Sequence, residues 1–543
     1  MATLAVALFV GACGGGGGSG GGSKGGATPA PTPGGSAATV TITPKGDLVH
    51  NDYTGADFTV MAEGTVAATN LAAGEVIYLR LRATNGALAV PSTQPVTPNQ
   101  PFRFALRPNG ELTPGDYAGQ IEYTACRDAL CNSTYGPTVS AAYSLDIWSL
   151  GEWSTIQRDS THAGFVATSI DATRLNLLWE WRPPAPTGSG GQIYVTRPVT
   201  VSGYVVVLSG YTPTSGPQQS ALYSIGEFNG TTKWTYAVPS GEYAQAPASA
   251  SLINAQIFLQ TLNSPNLLTS LDTNTGAIRY TMPRGAAANV QTLAPTTYAN
   301  LTFYNAGAGG GELHAIENGM GKLIWSHPRT GPQAGTPAVR QGEVIYQSGT
   351  TIQIVDMLTG TLRGQINDPA SDGASSPFQR SVLVLGSRGN VIAVSYNGAT
   401  GAHPLSSFNI DGRRWEWSTQ HSYRVLSVSD GMIYAYREGA TVATLDAIDE
   451  ATGLVQWSWS PPAADAQART TGNIMLTRNL VFISTEGGGG DSFVWAIDRA
   501  TRQPVWRYPS GGYVIMSGSR TIYVLTGPGN GRPSETLRAF RIR

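Results

Sequence analysis

Five carboxylates, Asp272, Glu317, Asp356, Asp449 and Asp498, recur through the second half of the chain. A carboxylate can act as a general acid or base, or as an oxygen ligand for a hard cation. These five stand singly, each four residues before Gly276, Gly321, Gly360, Gly453 or Arg502. One residue type repeated at one place in a repeating unit reads as turn chemistry, because such a side chain accepts from backbone amides just ahead of it. The six histidines, His50, His162, His314, His327, His403 and His421, show no His-x-x-x-His pairing. They read as isolated surface or core residues. Asn367–Gly373 is an acidic loop that lacks the acidic twelfth position of a helix–loop–helix calcium site. Ser517-Gly518-Ser519 lacks the Gly-x-Ser-x-Gly elbow of hydrolases, and Glu486–Asp491 reads as a long hairpin. Cys126 and Cys131, with no second pair beside them, make a poor zinc site and a good local disulfide for an exported protein.

The elements that hold these residues are strands. Gly and Pro number 67 and 34, and no segment keeps an apolar period of 3.6 residues. The turn positions Gly230, Gly276, Gly321, Gly360, Gly412, Gly453 and Arg502 follow one another at intervals of 39 to 52 residues. An aromatic stands four residues after the turn in five units: Trp234, Tyr280, Trp325, Trp457 and Trp506. Gly226 and Phe408 occupy the acidic position, and Gly364 the aromatic one. A second phase, Pro198, Pro247, Pro295, Pro337 and Pro377, opens an apolar strand in successive units. Glycine supplies the positive φ that ends the hairpin, and the aromatic offers an apolar plate to the neighbouring unit. Repeats of about 45 residues that cannot bury both faces alone imply a closed ring. The expectation is an all-β chain whose residues 175–543 form an eight-bladed β-propeller. Its last blade is completed by Leu175–Trp181, which removes an open edge.

Ahead of the ring, residues 38–148 alternate in short runs and read as an immunoglobulin-like β-sandwich, with residues 149–174 as a lead-in. The N-terminus ends an apolar run in Val10-Gly11-Ala12-Cys13, which resembles the lipobox of bacterial lipoproteins. Residues 1–13 read as the signal, Cys13 as the lipidated residue, and residues 14–37 as a Gly/Pro-rich tether. With 34 basic and 35 acidic side chains, the chain lacks the basic footprint of a nucleic-acid binder.

The Asp-x-x-Thr-Gly-x-x-x-Trp unit, with the entry Trp153–Gly164 and Leu177–Trp181, resembles the repeat of pyrroloquinoline-quinone (PQQ)-type propellers. That family includes quinoprotein dehydrogenases and the assembly lipoprotein BamB. The resemblance implies the fold. For a dehydrogenase it also implies PQQ held between a tryptophan and a disulfide of adjacent cysteines, with calcium and an aspartate base. This chain has no adjacent cysteines and no cysteine after Cys131, so neither PQQ nor calcium has residues assigned to it.

The reading is therefore a non-catalytic outer-membrane lipoprotein facing the periplasm or the exterior. It would capture a protein partner through a loop around Arg413 and Arg414, where the repeat lengthens. The alternatives are a PQQ-dependent oxidoreductase, or a carbohydrate-binding surface protein with Trp415 and Trp417 on one strand face. Replacing Cys13 with Ala is expected to release the protein from membranes. Mass spectrometry without reductant is expected to find Cys126 and Cys131 linked; unchanged membrane retention or two free thiols would reject these assignments.

Overall fold

The structure, a computed structural model, describes residues 37–54, 58–110, 112–184, 191–239, 248–261, 267–283, 294–306, 311–329, 336–373, 382–440, 442–462, 469–486, 492–526 and 536–542. Cys13 and the tether up to residue 36 lie outside the described residues, as do 487–491 of the hairpin.

Residues 39–148 form two sheets over one core. One sheet orders Thr39–Pro44, Val60–Thr69, Pro101–Pro108 and Leu88–Ala89; the other orders Leu48–Tyr53, Val139–Trp148, Gly115–Cys126, Ile77–Ala83 and Gln94–Val96. Alternate residues point inward, so Val60, Ala62 and Val66 meet Ile77, Leu79, Leu81, Ile121 and Tyr123. Leu48–Tyr53 runs parallel to Val139–Trp148. Its polar centre, His50-Asn51-Asp52, hides it from a reading based on apolar alternation. Cys126 and Cys131 are bonded, with Cα atoms 4.9 Å apart. Asp128 holds the loop between them by accepting from the amides of Leu130 and Asn132.

From residue 175 onward, eight four-stranded blades follow one another among the described residues. Arg414–Ser429 serves twice: its first half pairs with Pro404–Asn409 as the outer strand of the fifth blade, and its second half pairs with Met432–Arg437 as the inner strand of the sixth. The eighth blade takes Tyr513–Met516, Ile522–Thr526 and Thr536–Ile542 from the end of the chain and Leu175–Trp181 from before the first blade. The antiparallel register Leu175↔Ile542 to Trp181↔Leu537 closes the ring.

Blade docks to blade through one repeated contact. Just before the aromatic, the outer strand carries a β-bulge: Ser224 faces Trp234 and Ile225 faces Thr232, skipping Lys233, and the other blades slip at the same point. The bulge turns the aromatic onto the next blade. Trp179, Trp234, Tyr280, Trp325 and Trp417 lie against Gly230, Gly276, Gly321, Gly360 and Gly453 respectively. Each also donates to the carbonyl three residues before that glycine, on Glu227, Thr273, Asn318, Met357 and Glu450. Trp457 lies under the guanidinium of Arg502, and Trp506 packs on Phe540 of the last blade.

The fifth turn corrects the sequence alignment. The left-handed residue is Arg413 (φ 48), not Gly412. The acidic position is then Asn409, whose side chain accepts from the Gly412 amide at 2.6 Å, and the aromatic is Trp417. Trp417 is buried, whereas Trp415 is 41% exposed. The bulge skips Glu416 between them, so the two indoles do not form the common face expected for sugar stacking.

Gly276 combines φ +70 with a Cβ direction 2.6 Å from the Trp234 ring; Gly431 has φ +74 and open space. Gly431→Ala is expected to cost only the left-handed backbone, about 1 kcal/mol. Gly276→Ala must also displace the indole and is expected to cost roughly 3 kcal/mol. Denaturant unfolding of the two variants measures the difference; equal losses would mean that the plate contact does not hold the blades.

Candidate functional site

The centre of a propeller ring is where a small ligand can be enclosed on all sides. Here the lead-in occupies it. The carbonyl of Trp153 accepts from Thr200 of the first blade at 2.9 Å, and that of Ser154 accepts from Ala250 of the second at 2.7 Å. Thr155 Oγ1 donates to Pro295 at the entry to the third blade. The carbonyls of Ser160, Thr161, Ala163 and Gly164 accept from Val339, Leu385, Val428 and Leu476, one on each of the next four blades. Phe165–Val166 then adds a short parallel strand beside Leu476–Thr477. Arg520 of the eighth blade donates to the Ser169 carbonyl. Residues 153–169 thus wind once around the axis and touch the blades in order.

The strap braces itself. Arg158, at φ 86, sends its guanidinium to the carbonyls of Leu150 and Phe165. Gly164 adopts φ +66, and a Cβ there would sit 2.3 Å from Ser427 Oγ. Such a close approach admits only glycine. His162 is fully buried and its Nδ1 lies 2.9 Å from the Leu383 carbonyl. A carbonyl only accepts, so the neutral ring carries its proton on Nδ1. Burial pushes its pKa down to about 4.

The repeated carboxylates are separate from this centre and serve their turns. Asp272 Oδ1 accepts from the amides of Asn274 and Thr275. Glu317 takes Gly319 and Met320, Asp356 takes Leu358 and Thr359, Asp449 takes Ala451 and Thr452, and Asp498 takes Ala500 and Thr501. The Arg279 guanidinium, with these amides, pushes Asp272 down to about 2. Backbone donors likewise lower Glu317, Asp356 and Asp498. A general acid needs its pKa raised toward the working pH; these groups are shifted the other way.

The remaining candidates are scattered. Arg413 lays its guanidinium over Gly364, where the fourth blade lacks an aromatic. It is therefore drawn into blade docking, while Arg414 is exposed beside Glu416. In Asn367–Gly373, Asp368 is buried and caps the Ala370 amide, whereas Asp372 reaches Ala399; the two do not converge. His50 stacks on Phe58, His314 meets Glu312, His327 meets the Gly360 carbonyl, and His403 meets Glu438. Among the described residues no three His, Cys, Asp or Glu side chains gather as metal ligands.

Nor do the residues suit a PQQ sandwich. The docking indoles are covered by the next blade and the axis is filled by the strap. The only described cysteines are bonded to each other in the sandwich. The sequence reading missed the strap contacts and a second inter-blade set, in which the residue after the turn acid reaches back to the preceding blade. Examples are Asn318 with Ser251, and Glu450 with Ser387 and Arg388. Only a buried, unrepeated polar residue such as Glu227 or Glu450 beside each turn could have signalled it.

His162 makes the strap's contribution measurable. Unfolded, this histidine protonates near 6.5; folded, near 4. Between those values the unfolded chain holds the extra proton, so stability is present above pH 6.5 and lost as pH falls toward 4, by roughly 3 kcal/mol. His162→Gln is expected to flatten that part of the stability–pH curve. An unchanged slope in the variant would show that the axis histidine does not govern it.

The sequence profile of a family described as "Outer membrane protein assembly factor BamB" matches residues 218–459. No curated protein matches the chain. Among solved structures, the quinohemoprotein alcohol dehydrogenase from Comamonas testosteroni is 13% identical, covers 72% of this chain and 80% of its own, and has a TM-score of 0.52. A europium-containing methanol dehydrogenase is 13% identical, covers 72% and 98%, and scores 0.51. BamB from Moraxella catarrhalis is 13% identical, covers 68% and 99%, and scores 0.47. Identities this low speak for fold and not for chemistry. With blades docked by a recurring aromatic plate and closed by Leu175–Trp181, the C-terminal two-thirds of the chain is a PQQ-like β-propeller.

Proposed function

We propose that this protein is a non-catalytic scaffold of the bacterial envelope, anchored by lipid at Cys13, that holds a protein partner on an outer face of its propeller. The observation that carries this reading is the strap: the axis, where a substrate would be enclosed, is filled by the chain's own peptide groups, bonded to successive blades. What remains is broad, rigid outer surface. Apolar tips stand exposed on the turns between third and fourth strands, with Phe228 at 57%, Met320 at 80%, Leu358 at 64% and Leu454 at 64%. Tips of this kind suit a protein partner better than a small polar substrate. The match to an assembly-factor profile supports the same reading. Anchoring by lipid accords with the lack, among the described residues, of a helix long and apolar enough to cross a membrane.

Crosslinking in intact cells followed by pull-down of the tagged full chain is expected to recover a discrete envelope partner. Met320→Asp with Leu358→Asp is expected to lose that partner while the melting curve stays within a few degrees of wild type. Micromolar PQQ binding with calcium-dependent dye reduction of alcohols or sugars would instead establish the oxidoreductase.

A further inference from the structure

Where the ring closes, the last blade meets the first across two carboxylates that the docking scheme does not use up. Glu227 stands three residues before the turn glycine Gly230 and is 1% exposed. Its Oε1 accepts from the Ser517 hydroxyl at 2.5 Å, and its Oε2 has no hydrogen-bond partner. Glu152, at the root of the strap, accepts from the Gly518 amide at 3.0 Å. Burial raises its pKa, and the charge of Glu227 adds to that. The two carboxylates therefore stand side by side at the seam, Glu227 fully buried and Glu152 half-buried.

The surroundings are rich in oxygen. The Tyr523 hydroxyl, fully buried, lies in the field of both carboxylates. It has no hydrogen-bond partner at bonding geometry, and neither does the buried hydroxyl of the neighbouring Thr521. No ion pair is formed by either carboxylate among the described residues. Arg541, which reaches Tyr523 electrostatically, donates instead to the Ser519 carbonyl and lies over Phe228.

The protein contains its own control. Glu450 occupies the same turn position in the sixth blade and is also fully buried. There both carboxylate oxygens are met, by the Ser387 hydroxyl and the Arg388 amide. The fold thus satisfies this position with two donors in the sixth blade. At the seam it supplies Glu227 with one donor and a second negative charge.

We propose that the seam between the eighth and first blades binds a calcium-type divalent cation between Glu152 and Glu227. Two carboxylates balance its charge, and the hydroxyls of Tyr523 and Thr521 supply neutral oxygens of the kind that complete such a shell. A proton shared by the pair would account for one charge and leave those hydroxyls as they are. Placed where the last blade meets the first, the ion fastens strap, first blade and last blade together. This inference stands independently of the scaffold reading.

Terbium titration of the purified full chain tests it, with Trp153 and Tyr523 beside the pair as antennae. Sensitised emission is expected to saturate, to be displaced by millimolar calcium chloride, and to resist the same concentration of magnesium chloride. Glu227→Gln and Glu152→Gln are each expected to weaken terbium binding at least tenfold, whereas Glu450→Gln leaves it unchanged. Calcium is expected to raise the melting temperature of the wild type, and a chelator to lower it; these wild-type readings decide the matter if a variant fails to fold. No sensitised emission, emission that ignores both seam variants, or a melting temperature that follows pH and ignores calcium would overturn the proposal.

Discussion

The inner strands of a propeller turn amides toward its axis, and a buried amide without an acceptor costs as much as a lost hydrogen bond. In this protein the acceptors come from the lead-in, which gives its carbonyls to one blade after another. Much else is arranged around that demand. Gly164 is glycine because the strap passes within reach of Ser427. His162 stays neutral because it is sealed at the centre. The sandwich is held close because its final strand, Val139–Trp148, runs straight into the strap. Tyr53 packs on the propeller core, and Asp52 meets Arg478.

The ring was legible because its docking contact is repeated. An acid, a left-handed residue and an aromatic at fixed spacing give the same hairpin and the same plate several times over, and repetition separates signal from chance. Where the pattern broke, the reading slipped. Gly412 was the natural choice for a positive φ, yet Arg413 takes it, and its long side chain covers the place where Gly364 offers no ring. The strap was legible as a lead-in segment, but its contacts with the blades were not. It occurs once, and Ser154, Thr155, Ser160 and Thr161 look like linker residues until their carbonyls and hydroxyls are seen beside the inner strands. Glu152 and Glu227 were hidden for a related reason: nothing local marks them as neighbours, and only ring closure brings them together.

The division between centre and periphery gives the molecule its character. The recurring carboxylates are engaged by the amides of their own turns, the indoles by the neighbouring blade, and the axis by the strap. These groups are thereby engaged in building the ring, and apolar turn tips such as Met320 and Leu358 stand exposed. Related rings can host redox chemistry because fold and site are separable; here the positions that would form a central pocket have been spent on architecture.

The joint between Leu175–Trp181 and Thr536–Ile542 also sets an order of events during biogenesis. Glu180 and its partner Arg538 lie 358 residues apart, so the first strand of the ring emerges from the ribosome long before the strand that pairs with it. Contacts of such sequence separation form late and slowly. Until the final strand arrives, the nascent chain carries an unpaired edge at each end and a strap with nothing to encircle. The ring can close only once Thr536–Ile542 has been made, because Leu175–Trp181 has its partner strand there.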